Sequence, residues 1–315
     1  MEVQNKLGLG VAGLAGNPAK NFLVYSGIAS DARDLAVRFG IDDVDHSTLI
    51  FASIEEAINA GMASRGDRIF VAPGHAETLS DATTLNLDKA GIVICGLGAG
   101  TNRPTITFDT VTTATIPVSA ANIDIFNVIF TANFADIVAI FTLTTANNFR
   151  LFGCSFLATA TNMNFLHVVD TSAVANTADG LTIEGCEWIE PDTATETMVK
   201  QDEDNARVTI SDNFVQIGVN NNTPALLLIA DGFSVFNLRM EKNRVFRLNT
   251  DTATGAILLH TNQSDNSGVV ADNRVQMADT DDELLITASS GLGCFENYAS
   301  GVQGASGYLL PAADS

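Results

Sequence analysis

A few residues in this chain are of types that could do chemistry. Asp251, preceded by Asn249 and Thr250, stands about one repeat before Asp281 and Asp282, and a general acid with a general base on neighbouring strands could cleave a glycosidic bond. Asp202, Glu203 and Asp204 offer the oxygen ligands a hard cation prefers, but an acidic run on a loop is by default a solvated surface, and we read it so. His46, His75, His167 and His260 are too far apart in sequence for any two to be expected at one metal. Gly8, Gly10 and Gly13 spell GxGxxG with neither a strand before nor a helix after them, so they read as part of an arm and not as a phosphate loop. No catalytic residue, metal site or cofactor is expected from these groups.

Whatever these residues do, the rest of the chain must position them, and its composition limits how. The 315 residues are 46% hydrophobic and 17% charged, which excludes a disordered chain and allows a core without disulfide or metal staples. A formal net charge of −21 repels phosphate backbones and anionic headgroups, so neither nucleic acid nor membrane is expected as a partner. No apolar run reaches the roughly 18–20 residues that cross a bilayer, and the first residues lack a basic leader followed by an apolar block.

An internal repeat supplies the scaffold. The template is two alternating apolar positions, a turn residue, an Asn or small residue, and a large apolar residue. Seven segments fit it: IDIFNVIF from Ile123, FRLFGCSF from Phe149, LTIEGCEW from Leu181, VTISDNFV from Val208, LRMEKNRV from Leu238, GVVADNRV from Gly268 and LGCFENYA from Leu292. Their starts are 26, 32, 27, 30, 30 and 24 residues apart. Strand alternation at such a period predicts a parallel β-solenoid. The sixth template position carries Val128, Cys154, Cys186, Asn213, Asn243, Asn273 and Asn297. Stacked about 4.8 Å apart, the Asn side chains can pair amide to amide, and Asn tolerates the left-handed backbone of a sharp turn. Cys154 and Cys186 fall in the same ladder column; their spacing would permit a bridge, and stacked reduced thiols are the expectation. The eighth position reads Phe130, Phe156, Trp188, Val215, Val245, Val275 and Ala299, a core stack that tapers toward the C-terminus.

DRIFVAPG from Asp67 and GIVICGLG from Gly91 look like the first two rungs, with RPTITF and TIPVS as strands between them. A second strand set recurs as IVAIF, FLHVV, ALLLI, AILLH and ELLIT, so each coil has at least two strands. About nine rungs would give a rod about 40 Å long. Ser53 with Glu56 forms a capping box ahead of an apolar face of Ile54, Ala57, Ile58 and Met62, with Gly66 as the stop. The expected organisation is an N-terminal arm and attachment region over 1–50, with a short helix over 30–39, a capping helix over 51–66, a parallel β-helix over 67–300 and a tail over 301–315.

With its short amphipathic helix, GDRIFVAPGHAETLS and Asn-bearing coils, the sequence resembles the right-handed parallel β-helix superfamily of pectate lyase type over roughly residues 50–300. VAPGHAETLS, GLGAGTNRPTITF and TIPVSAANIDIFNVIF resemble β-helix proteins of tailed-bacteriophage structural genes. The first resemblance implies a right-handed all-β solenoid and brings a catalytic question with it. Asn249, Thr250 and Asp251 match the NTD of polygalacturonases and Asp281 with Asp282 could supply the DD, but the GHG and RIK elements are missing. The second implies a virion structural protein made in the host cytoplasm, first a capsid decoration protein. Such a protein would be a homotrimer bound through residues 1–50 to the major capsid protein or another virion protein. A tail spike or fibre that binds or cleaves host glycan is the alternative, and a free polysaccharide lyase or hydrolase the third reading.

Overall fold

The computed structural model describes residues 19–26, 37, 49–160, 162–171, 177–190, 197–218, 225–230, 232–247, 257–260, 266–277, 285–286, 291–301 and 306–308. They form a parallel β-solenoid of about seven turns. Sheet 1 has eleven strands, sheet 2 ten and sheet 3 seven. In each turn the chain passes from sheet 1 to 2 to 3: Asp124–Phe126, Ile129–Ala132 and Phe141–Leu143 make one turn, and Arg150–Phe152 opens the next. The repeat template covers only sheet 1, the corner after it and the start of sheet 2. The remainder of sheet 2 is the strand set that periodicity did not separate. Seven complete turns fall short of about nine expected rungs because the first and last lack a described strand in sheet 3; at Leu87 only an isolated bridge to Val118 is made.

Alternation inside each strand sends one side chain into the solenoid and the next to the surface. In Phe214–Ile217, for example, Val215 and Ile217 are buried and Phe214 and Gln216 half-buried. The eighth-position residues form one unbroken column in sheet 2, paired in the order Phe130, Phe156, Trp188, Val215, Val245, Val275, Ala299. Those from Phe130 to Val275 are at most 2% exposed. The Phe130 and Phe156 rings stack at 5.7 Å.

Two residues turn the chain from sheet 1 into sheet 2, and the left-handed one is not the Asn. The fifth template residues Asn127, Gly153, Gly185, Asp212, Lys242, Asp272 and Glu296 all have φ between 52° and 63°, while the sixth points its side chain inward. A second corner, ahead of sheet 1, was not legible: Asn122, Asn148, Gly180, Arg207 and Asn237 have positive φ there, and Asn148 Nδ2 donates to Asn122 Oδ1 at 2.9 Å.

At the N-terminal end, helix α1 spans Ile54–Ala60. Ser53 Oγ accepts the Glu56 N–H at 3.2 Å and Glu56 Oε2 the Ala52 N–H at 3.1 Å. Ile54, Ala57 and Ile58 join the core cluster that holds Phe22, Val24, Ile69 and Val71. The helix is shorter than the 51–66 expected: Gly61 ends it in an extended conformation, and Met62, beyond that end, is 48% exposed. Asp67 is the reason the chain turns away. Its buried carboxylate accepts the N–H groups of Lys20 and Met62 at 2.8 Å and both arms of the Arg65 guanidinium at 2.5 Å.

Residues 21–24 correct the arm assignment. Asn21–Val24 is a strand of sheet 1, lying between Ile50–Phe51 and Arg68–Val71 with Phe22, Leu23 and Val24 buried. Within 301–315, Ser306–Tyr308 pairs antiparallel with Tyr298–Gly301. The helix expected over 30–39 lies outside the described residues apart from Val37.

Candidate functional site

The corner between sheets 1 and 2 carries chemistry on both of its faces. On the inside, Asn213, Asn243, Asn273 and Asn297 form a continuous ladder. The Nδ2 of each of the first three donates to the Oδ1 of the next, at 3.0, 2.9 and 2.9 Å. Each of those oxygens also accepts the preceding Asn main-chain N–H at 3.1 to 3.2 Å. The remaining amide hydrogens go to main-chain carbonyls one coil back, on Ile183, Ile210, Met240 and Val270. All four Asn are at most 1% exposed, so these bonds form in a low dielectric and polarise one another.

Cys154 and Cys186 continue the column. Their Sγ atoms lie 3.7 Å from the carbonyl oxygens of Ile125 and Leu151, the same one-coil-back position, and the Cys186 N–H donates to Asn213 Oδ1 at 2.9 Å. Both are free thiols, and burial pushes the Cys186 thiol well above its ordinary value. Val128 begins the column.

On the outside of the same corner, the outward-facing fifth and seventh template positions make two parallel columns: Asp212, Lys242, Asp272 and Glu296 beside half-buried Phe214 and exposed Arg244, Arg274 and Tyr298. Together they line a polar concavity of about 860 Å³. The Phe246 ring lies 5.6 Å from that of Phe214. In the aligned repeats the seventh position reads Ile129, Ser155, Glu187, Phe214, Arg244, Arg274 and Tyr298, a mixture of chemistries that carries no ladder signal.

The other sequence candidates are scattered. His75 is buried with Nε2 2.7 Å from Glu77 Oε1, which also accepts the Ile54 N–H at 2.7 Å. His167 Nδ1 lies 3.3 Å from the Thr197 carbonyl oxygen; burial is the main cause that lowers its pKa to about 4. His260 closes a strand of sheet 3, and His46 lies outside the described residues. The run Asp202, Glu203 and Asp204 does not converge. Asp202 pairs with Lys200 at 2.5 Å, buried Glu203 accepts from Thr177 Oγ1, and Asp204 accepts the Ser234 N–H at 2.7 Å. Among the described residues no group of three or more His, Cys, Asp or Glu is placed to hold a metal, and no helix is long and apolar enough to cross a membrane. Asn249, Thr250, Asp251, Asp281, Asp282 and the Gly8, Gly10, Gly13 run lie outside the described residues.

Compared with models of known families and with curated proteins, the chain finds no match in either.

Proposed function

We propose that this chain is a structural component of a bacteriophage particle, a decoration protein standing on the capsid surface. The observation that carries the reading is the interior of the corner. Four buried Asn and two buried Cys use their polar groups to tie successive coils to one another, which serves stiffness along the axis and leaves none of them for a substrate. The resemblance of VAPGHAETLS and the following coils to phage β-helix proteins supplies the setting. An exterior contributing to a charge of −21 would keep neighbouring particles apart.

In this reading the solenoid is right-handed and of pectate lyase type, and α1 caps its first rung against edge-to-edge association. Three copies associate side by side, screened by salt over about 8–10 Å. Attachment to a capsid protein falls to the segment ahead of Lys20, since Asn21–Val24 belongs to sheet 1. The protein is made in the host cytoplasm and ends in the virion.

Mass spectrometry and cryo-microscopy of purified particles test this directly: the chain should appear in stoichiometric copies on the head. A chain lacking residues 2–18 should keep its circular dichroism and lose particle binding. Absence from purified particles overturns the proposal, and unimpaired binding of the shortened chain moves attachment to the coils.

A further inference from the structure

The ladder offers nothing to a substrate, yet it ends on groups that fit one more strand. From Asp212 onward, three kinds of bond at the corner join each coil to the one ahead. The fifth template residue donates its main-chain N–H to the fourth residue of the next coil: Asp212 to Glu241 O at 3.1 Å, Lys242 to Ala271 O at 3.2 Å and Asp272 to Phe295 O at 3.1 Å. The Asn donates its main-chain N–H and one Nδ2 hydrogen to the next Asn Oδ1. The carbonyl of the third residue accepts from the Nδ2 of that next Asn, as Val270 O does from Asn297 at 2.8 Å.

At the last coil the equivalent groups face forward with no described residue bonded to them. They are the main-chain N–H groups of Glu296 and Asn297, the second Nδ2 hydrogen of Asn297 and the carbonyl oxygen of Cys294. Asn297 is 1% exposed, so water does not satisfy its donors and an incoming acceptor is favoured. The strand beside it is open: Leu292–Phe295 is the outermost strand of sheet 1, with Leu292, Gly293 and Cys294 half-buried and Phe295 exposed. In sheet 2 the corresponding edge is taken, because Ser306–Tyr308 lies along Tyr298–Gly301. The opening therefore has room for one strand that stops at the corner.

The pattern of donors and acceptors selects the occupant. An Asn side chain matches all of it, its Oδ1 accepting from both Asn297 donors and its Nδ2 donating to Cys294 O. An Asp could accept but not donate, and would meet the charges of Asp272 and Glu296 at the same corner. A second copy does not fit: its own last coil presents donors to donors, and its first edge strand, Ile50–Phe51, is followed by Ala52 and Ser53. Residues 302–315 contain no Asn either.

We propose that the C-terminal edge of sheet 1 binds an extended segment of a partner protein, paired parallel to Leu292–Phe295 and supplying the next Asn of the ladder. The segment carries an apolar residue three positions before the Asn, to cover the column that ends in Val270 and Cys294, and Gly, Asn or Asp immediately before it, to take the left-handed turn. The site does not rest on the decoration role, and failure of either leaves the other standing.

A free peptide of the sequence 268–277, GVVADNRVQM, has this pattern and serves as the probe in fluorescence anisotropy with the full chain. It should bind, and Asn273→Leu in the peptide should weaken binding at least about tenfold, since three bonds are lost together. Asn273→Asp in the peptide should also weaken it. These changes leave the protein untouched, so lost binding cannot be lost fold. Hydrogen exchange followed by mass spectrometry should slow over residues 292–297 when the peptide is added, and a chain lacking residues 309–315 should bind with unchanged affinity. Four results would each overturn the assignment: no binding at millimolar concentration, equal or tighter binding of the Leu or Asp peptide, protection that leaves residues 292–297 unaffected, or a gain of more than about tenfold in the shortened chain, which would give the position to residues 309–315.

Discussion

Replacing Asn243 by Leu probes the ladder at its centre. Asn243 is wholly buried and its side chain takes part in four hydrogen bonds, two accepted from Asn213 and one donated to each of Ile210 O and Asn273 Oδ1. Leu keeps the branched shape of the Asn side chain but is larger, so overpacking strain adds to the polar loss. The polar consequences can be followed atom by atom. The Asn213 main-chain N–H loses the acceptor it has at 3.1 Å, an orphan worth about 1–3 kcal/mol when buried. The Asn213 amide keeps Ile183 O but loses its second acceptor, and Ile210 O loses a donor; each adds about 1 kcal/mol. Asn273 Oδ1 keeps the main-chain N–H of residue 243. Burial of the Leu side chain returns about 1 kcal/mol, leaving a net loss of about 2–4 kcal/mol. Urea titration followed by far-ultraviolet circular dichroism reads it. Asn213→Leu added to Asn243→Leu should cost less than the two singles together, by about 1 kcal/mol, because the orphaned Nδ2 donor vanishes with the Asn213 side chain while the main-chain N–H of residue 213 stays unpaired in both. A single-variant loss below about 1 kcal/mol, or strict additivity, would refute the claim that the ladder works through its hydrogen bonds.

Lys242 holds φ of 57° with no glycine freedom, so Lys242→Gly should raise the urea midpoint, equivalent to about 0.5–1 kcal/mol. Burial pushes the Asp67 carboxyl up, but Arg65 and the two N–H groups outweigh it and hold it below the ordinary value. Its contribution is therefore present above the unfolded carboxylate range and disappears as pH falls through the folded value. Asp67→Asn should cost about 2–4 kcal/mol at neutral pH and flatten the stability-versus-pH curve in that acid range. His167, lowered to about 4 in the fold from 6.5, takes up its proton more readily when unfolded, so stability should fall as pH drops from about 6.5 to 4, and His167→Gln should remove that slope. In native alkylation followed by mass spectrometry, partly exposed Cys294 should react well before Cys154 and Cys186; a Cys154–Cys186 bridge in the native protein would contradict the free-thiol column.

The columns that point inward were legible because burial restricts residue type. Phe130, Phe156 and Trp188 can stack only in a core, and four Asn at one template position have few uses outside a ladder. The left-handed position was misplaced by one residue because Asn is a familiar occupant of such turns, whereas Lys242 and Glu296 give no such signal; only backbone geometry reveals that they bear it. Met62 continued the apolar spacing of α1, yet the carboxylate of Asp67, five residues on, captures the Met62 N–H as the helix ends at Ala60, a side-chain bond that hydrophobic periodicity does not contain. Asn21–Val24 was missed because a single short apolar run carries no repeat partner until Arg68–Val71 is set beside it. In the groove, Arg244 and Arg274 occupy a column that also holds Ile129, Ser155, Glu187, Phe214 and Tyr298, and a position that varies in chemistry looks like ordinary surface until the coils are stacked.

The repeat length varies from 24 to 32 residues, yet the segment through sheet 1, the corner and the start of sheet 2 keeps the same eight-position template throughout. Each coil is thus indexed once per revolution, at the corner, and the chain between one index and the next is free to lengthen or shorten. A slip of one residue at the corner would move every Asn out of line at once, whereas residues gained on the far side of a coil disturb only that coil. The rod therefore behaves as a spine with a fixed pitch and replaceable ribs, on which loops of new sequence can be tried one turn at a time without renegotiating the rest of the molecule.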